Sequence, residues 1–242
     1  MDAYTRIHAL LEEGRISEAE ARLLLEALEG EPEAARRELC WARIQVRAGN
    51  LEITQDPALD QPRVEGAATI QAVPDGIRVT DRAKAREGGG LLRWIGALKD
   101  RRVHLYLPLG WGVVLEEVTG NVEADRLPYL KGSLRTGNLE VDELGGLELS
   151  VRTGNVELEL CLSEGQHRLE LGTGNAELTL LPGSSVTLEG AVGVGRVEAS
   201  GAFEAQGKGM GRSVAGRVGE GKAVFKAHVR MGNLELEVCD ER

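Results

Sequence analysis

Apolar and polar residues alternate strictly behind a recurring glycine. Leu139 and Val141 are apolar against Glu140 and Asp142, Val156 and Leu158 against Glu157 and Glu159, and Ala176 and Leu178 against Glu177 and Thr179. Period two predicts strands with one buried face. The first 30 residues follow a different period: Tyr4, Ile7, Leu10 and Leu11 lie at helical spacing and Gly14 stops the run. Ser17 and Glu20 then form a capping box ahead of Leu23, Leu24, Leu25 and Leu28, and Gly30 ends the segment. A helical hairpin is predicted over 1–30. Its leucines exceed what two short helices can bury together, so Leu23, Leu24 and Leu28 are candidate partner contacts.

The glycine behind each strand belongs to a corner, Gly-Asn-x-Glu, which begins at Gly49, Gly120, Gly137, Gly154, Gly174 and Gly232. These corners hold every asparagine in the chain. Gly195-Arg196-Val197-Glu198 is a near-copy. From Gly120 the spacings are 17, 17, 20, 21 and then 37 residues, a period that means stacked supersecondary units. Glycine followed by asparagine tolerates the backbone angles of a sharp turn. If coils stack about 4.8 Å apart, Asn121, Asn138, Asn155 and Asn175 form a hydrogen-bonded turn ladder.

Two architectures fit. One is a parallel β-helix, a solenoid of about 17–21 residues per coil in which like residues stack. The other is an antiparallel meander of hairpins, with Arg135 opposite Glu140 and Arg152 opposite Glu157. The solenoid is preferred, because its coils bury one another's apolar faces whereas a long meander must still cover its own. The chain divides into a hairpin at 1–30, a charged linker at 31–40, an irregular strand lead-in at 41–102 and repeats at 103–242. The glycine-rich stretch 190–221 predicts thinner coils near one end.

Composition narrows the function. Gly at 32 of 242 residues is about double the usual 7%, in keeping with many turns. A net charge of −10 and the lack of a basic stripe argue against nucleic acid. Three scattered cysteines, Cys40, Cys161 and Cys239, fit a reducing compartment. Neither a signal-like start nor an apolar run of membrane-spanning length occurs, so the expectation is a soluble cytoplasmic protein.

The helical hairpin "LLEEGRISEAEARLLLEALEG" at 10–30, the strand lead-in and the corners together resemble the bacterial "putative adhesin" family of β-helical proteins, with an N-terminal SHOCT-like oligomerisation hairpin. The resemblance covers essentially the whole chain. It implies a right-handed parallel β-helix without established catalytic residues, and roles in self-assembly, adhesion or envelope stress. The chain departs from many members in lacking an export signal or membrane anchor.

Other motifs carry little chemistry. Gly216–Ala223, "GRVGEGKA", matches the start of a phosphate-binding loop, but Ala223 replaces the Ser or Thr that would hold magnesium and a strand pattern follows. His8, His104, His167 and His228 share no metal-ligand spacing with one another or with a cysteine. No catalytic, cofactor or metal residues are assigned, and the chain is read as a non-enzymatic protein. Stacked coils would align Glu123, Glu140, Glu157 and Glu177 as a row of like charges, the best candidate surface for a basic partner. Residues 88–102 set Leu91, Leu92, Trp94, Ile95 and Leu98 beside Arg93, Lys99, Arg101 and Arg102. Of these, Leu92, Trp94, Ile95 and Leu98 form either a lid over the first coil or an interfacial membrane contact. The resulting expectation is a scaffold or adhesin-like β-helix that self-associates or docks a protein partner, as a homo-oligomer or through its N-terminal hairpin. The alternative is a peripheral membrane or envelope-stress accessory that contacts lipid through 88–102.

Overall fold

The computed structural model describes residues 39–47, 49–81, 102–207 and 211–239. The chain divides into two units, Met1–Leu39 and Cys40–Arg242. The predicted hairpin at 1–30, with Leu23, Leu24 and Leu28, lies outside the described residues. So does most of 88–102, including Leu92, Trp94, Ile95 and Leu98.

The second unit is built from strands, and no helix occurs among its described residues. In chain order they are β1 (Cys40–Gln45), β2 (Asn50–Gln55), β3 (Arg63–Gly66), β4 (Ala68–Val73), β5 (Gly76–Asp81), β6 (Arg102–Leu107), β7 (Trp111–Thr119), β8 (Asn121–Asp125) and β9 (Leu130–Thr136). There follow β10 (Leu139–Leu144), β11 (Leu147–Thr153), β12 (Val156–Leu160), β13 (Gly165–Thr173), β14 (Ala176–Leu180), β15 (Val186–Ala199), β16 (Phe203–Gln206), β17 (Arg212–Val218) and β18 (Ala223–Val238).

These strands pair as two ladders that share one core. One ladder holds the strands that follow the glycine corners, with β3 and β6 added at one end, in the spatial order β3, β6, β2, β8, β10, β12, β14, the second half of β18 and the second half of β15. The other holds the strands that precede the corners, with β4 and β5 added at one end and β17 and β16 at the other: β4, β5, β1, β7, β9, β11, β13, then the first halves of β18 and β15, then β17 and β16. Through the middle the pairs are parallel and in register, with Leu139 facing Val122 and Val156. Side chains pointing inward from both ladders, such as Leu51, Leu139, Leu149, Leu171, Phe225 and Leu236, form a single buried cluster. Burial of every second residue is what the alternating pattern dictates.

The sheet is mixed, whereas the sequence alone leads to uniform parallel coils. Antiparallel pairs occur at the two ends, β3 with β6 and β4 with β5 at one, β15 with β17 and β16 with β17 at the other. An end rung offers unpaired backbone groups to any neighbour, and strands that turn back cover it. The glycine-rich stretch near 190–221 is therefore a fold-back cap. Glu140 pairs with Glu123 and Glu157, not with Arg135 as hairpins at the corners would require.

Order in space also departs from order in sequence. The rung formed by β1 and β2 lies between that of β5 and β6 and that of β7 and β8. Likewise β18 lies between the β13–β14 rung and β15. So the Gly232 corner precedes the Gly195 corner in the stack, and β1 and β2, which the sequence pattern places in an irregular lead-in, form a rung of it.

Candidate docking walls

The corners place every exposed feature of the first ladder. The corner glycines have φ between 127° and 149°, and each packs on the previous one. A Cβ built on Gly154 would lie 1.7 Å from the Gly137 carbonyl oxygen, and one on Gly174 1.7 Å from that of Gly154. Only glycine fits such a column.

Beside it runs the asparagine column. The side-chain oxygen of each asparagine accepts from the next rung: the Asn138 main-chain N–H donates to Asn121 Oδ1 at 3.1 Å, Asn155 to Asn138 at 3.2 Å, Asn175 to Asn155 at 3.2 Å and Asn233 to Asn175 at 3.3 Å. Side-chain amides of Asn121, Asn175 and Asn233 donate along the same line. Asn50 and Asn233 extend the ladder past the four positions singled out from the sequence. It ends where arginine replaces asparagine: Arg102 pairs with Asn50 at one end, and at the other the Arg196 N–H donates to Asn233 Oδ1 at 3.2 Å.

Two residues beyond each asparagine stands a glutamate. Glu52, Glu123, Glu140, Glu157, Glu177, Glu235 and Glu198 occupy successive rungs in register. Asp125 and Asp142 form a second acidic pair farther along the strands. Every charged residue of β8, β10, β12 and β14 is acidic. A shallow groove of about 360 Å³ runs between the two columns, bordered by Asn138, Glu140, Asn155, Glu157, Asn175 and Glu177. Like charges directly opposite each other are destabilising. The effect reaches Glu235, whose carboxyl is held above its ordinary range by desolvation first and then by Glu177, Glu198 and Glu237.

The opposite ladder has a different character. Its outward residues on β9, β11, β13 and the first half of β18 include Lys131, Arg135, Arg152, Arg168, Lys226 and Arg230, against Glu148 and Glu170. Arg168 pairs with Glu170 on its own strand, and Lys226 lies 3.8 Å from Glu189. The Lys131 ammonium sits 3.8 Å over the Trp41 ring, which meets Tyr129 edge-on at 6.1 Å. Sequence reasoning missed this wall, although its signal was present: basic residues precede the corners and acidic residues follow them.

The remaining candidates are dispersed. His167 is buried, accepts from the Leu147 N–H at Nδ1 (3.3 Å) and donates from Nε2 to the Glu164 carbonyl oxygen (2.9 Å). Burial lowers its pKa from the ordinary histidine value. His104 stacks on Tyr106 in the first ladder, and His228 is exposed on the second wall. Residues 216–223 form the end of β17, a turn and the first residue of β18. Cys40, Cys161 and Cys239 are exposed and unpaired. Among the described residues no group of three His, Cys, Asp or Glu side chains is placed to hold a metal ion, and no helix is long and apolar enough to cross a membrane.

No family model and no curated protein matches the chain. Two solved structures are similar to it. One, described as a "putative cell adhesion protein" from Clostridium sporogenes, is 15% identical with a TM-score of 0.44, covering 83% of this chain and 94% of its own. The other, described as a "putative adhesin" from Bacteroides fragilis, is 13% identical with a TM-score of 0.40, covering 83% and 93%.

Proposed function

We propose that the Cys40–Arg242 unit is a parallel β-helix with fold-back caps, and that it serves as a non-enzymatic scaffold docking a basic protein surface on its acidic wall. The observation that carries this reading is the in-register column from Glu52 to Glu198. A solvated wall needs no single sign of charge. Repeating glutamate on rung after rung works against folding, and a basic partner turns that repulsion into attraction. Adhesion, the role named for the two structural neighbours, is one use of such a wall. The exposed, unpaired cysteines support a reducing compartment.

The test is binding of a fluorescent decalysine peptide to the full chain, read by anisotropy at low salt. Replacing Glu123, Glu140, Glu157 and Glu177 by Gln is expected to abolish binding. Replacing Glu148, Glu189, Glu204 and Glu220 by Gln removes the same net charge elsewhere and is expected to leave most of it. Equal losses from the two sets would mean that net charge alone attracts the peptide, and the docking wall would be refuted.

A further inference from the structure

We infer that the basic surface docked by the acidic wall is the opposite wall of a second copy of this chain; the inference rests on the docking reading above. Its ground is charge complementarity between two faces of one molecule. Over the rungs of β9 to β14 and β18, the first ladder turns Glu140, Glu157, Glu177 and Glu235 outward, while the second turns out Arg152, Arg168, Lys226 and Arg230. Each of these eight side chains is exposed.

Both walls belong to the same rungs, about 4.8 Å apart; on the second wall Arg168 and Lys226 share a row with Lys131, Glu148 and Glu189, so that wall is net basic over β9, β11, β13 and β18, not basic at every rung. A second copy laid alongside with its axis parallel brings this net basic face opposite the acidic face of its neighbour. Since the two faces differ, the contact is heterologous, and copies related by it continue side by side instead of closing as a two-fold dimer.

Size sets the strength. The four rungs that carry the basic wall span about 19 Å along the axis and a five-residue strand about 17 Å across it, so the matched part of each wall offers roughly 330 Å². Two such faces bury about 650 Å², below the size of stable specific interfaces. The contact is therefore weak, charge-driven and strongly salt-dependent, since the screening length falls from about 10 Å at 0.1 M to about 3 Å at 1 M.

Sedimentation velocity of the full chain tests this. Wild type at tens of micromolar is expected to sediment as species above monomer in 20 mM salt, and these should recede in 500 mM salt or with excess decalysine. An acidic-wall variant (E123Q, E140Q, E157Q, E177Q) and a basic-wall variant (R152Q, R168Q, K226Q, R230Q) should each lose the salt-sensitive species. Mixed in equal amounts they should form a heterodimer and nothing larger, because only one good pair of walls remains. Association that persists equally in both variants would overturn the inference. If a variant fails to fold, the wild-type salt and decalysine responses decide. Wild type that stays monomeric in low salt yet binds decalysine would sink the second-copy inference and leave the docking wall standing. Failure to bind decalysine would remove both.

Discussion

Replacing Gly154 by Ala puts the corner stack to a quantitative test. The new methyl carbon would lie 1.7 Å from the Gly137 carbonyl oxygen, where contacts below 3.0 Å are essentially never seen. The corner must therefore open by more than an ångström against a rung spacing of about 4.8 Å. Three bonds cross the Gly137–Gly154 gap and would stretch: the Gly137 N–H to the Thr153 carbonyl oxygen at 3.1 Å, the Leu139 N–H to the Asn155 carbonyl oxygen at 2.9 Å, and the Asn155 N–H to Asn138 Oδ1 at 3.2 Å. Each contributes about 1 kcal/mol net. A non-glycine residue at φ 149° adds about 1–3 kcal/mol of strain. Together these imply a loss of about 4–6 kcal/mol, a large share of the roughly 5–15 typical of a domain. Gly110 supplies the control: its φ is 79°, and a Cβ there meets nothing within 4 Å, so Gly110→Ala should cost about 1–2 kcal/mol, from backbone strain alone. Urea unfolding of both variants by circular dichroism measures the difference. Losses within about 0.5 kcal/mol of each other would refute the steric column.

Three further outcomes follow from single residues. Asn155→Ala deletes the oxygen that accepts from both the main-chain N–H and the side-chain amide of Asn175, and should cost about 1–2 kcal/mol in the same assay, more than Asn233→Ala, which leaves only the Arg196 donor behind. His167 has a folded pKa below its unfolded value, so the unfolded chain takes up the proton first and stability falls as pH drops from about 6.5 toward the folded pKa. His167→Gln should flatten the slope of urea midpoint against pH over that window. For Glu235 the folded pKa is raised, so the folded state binds the proton more readily, and stability rises as pH falls through that pKa. Glu235→Gln should stabilise the protein at neutral pH, and the gain should vanish below the unfolded carboxylate pKa.

Much of the interior was legible because its grammar is local. An alternating run after Gly-Asn can bury only one face, which fixed Leu139, Val141, Val156 and Leu158 as core, and identical corner residues fixed where coils could superpose. Rung order was not legible. The segments after Gly195 and after Gly232 read alike, and nothing in periodicity says which stacks on β14. One clue was available: Arg196 stands where other corners have asparagine, and a residue without a side-chain acceptor can only end the ladder. The β1–β2 rung was read as part of an irregular lead-in, despite its Gly49 corner, because Pro57, Pro62 and Pro74 interrupt the sequence after it; those breaks lie in the turns that lead into and between the turn-back strands β3 to β5. For the acidic wall, the glutamates could be read from the corner motif. Its basic counterpart required knowing that strands before the corners form a separate face.

Neither β1 nor β18 is the outermost member of its ladder, and this governs how the unit bears load. Tension applied at Cys40 and Cys239 enters interior rungs that are hydrogen-bonded on both edges. Such strands cannot be peeled away one bond at a time from an exposed border. They must slide past two neighbours together, breaking many bonds at once, so the unit should resist extension far better than its thermodynamic stability alone would suggest.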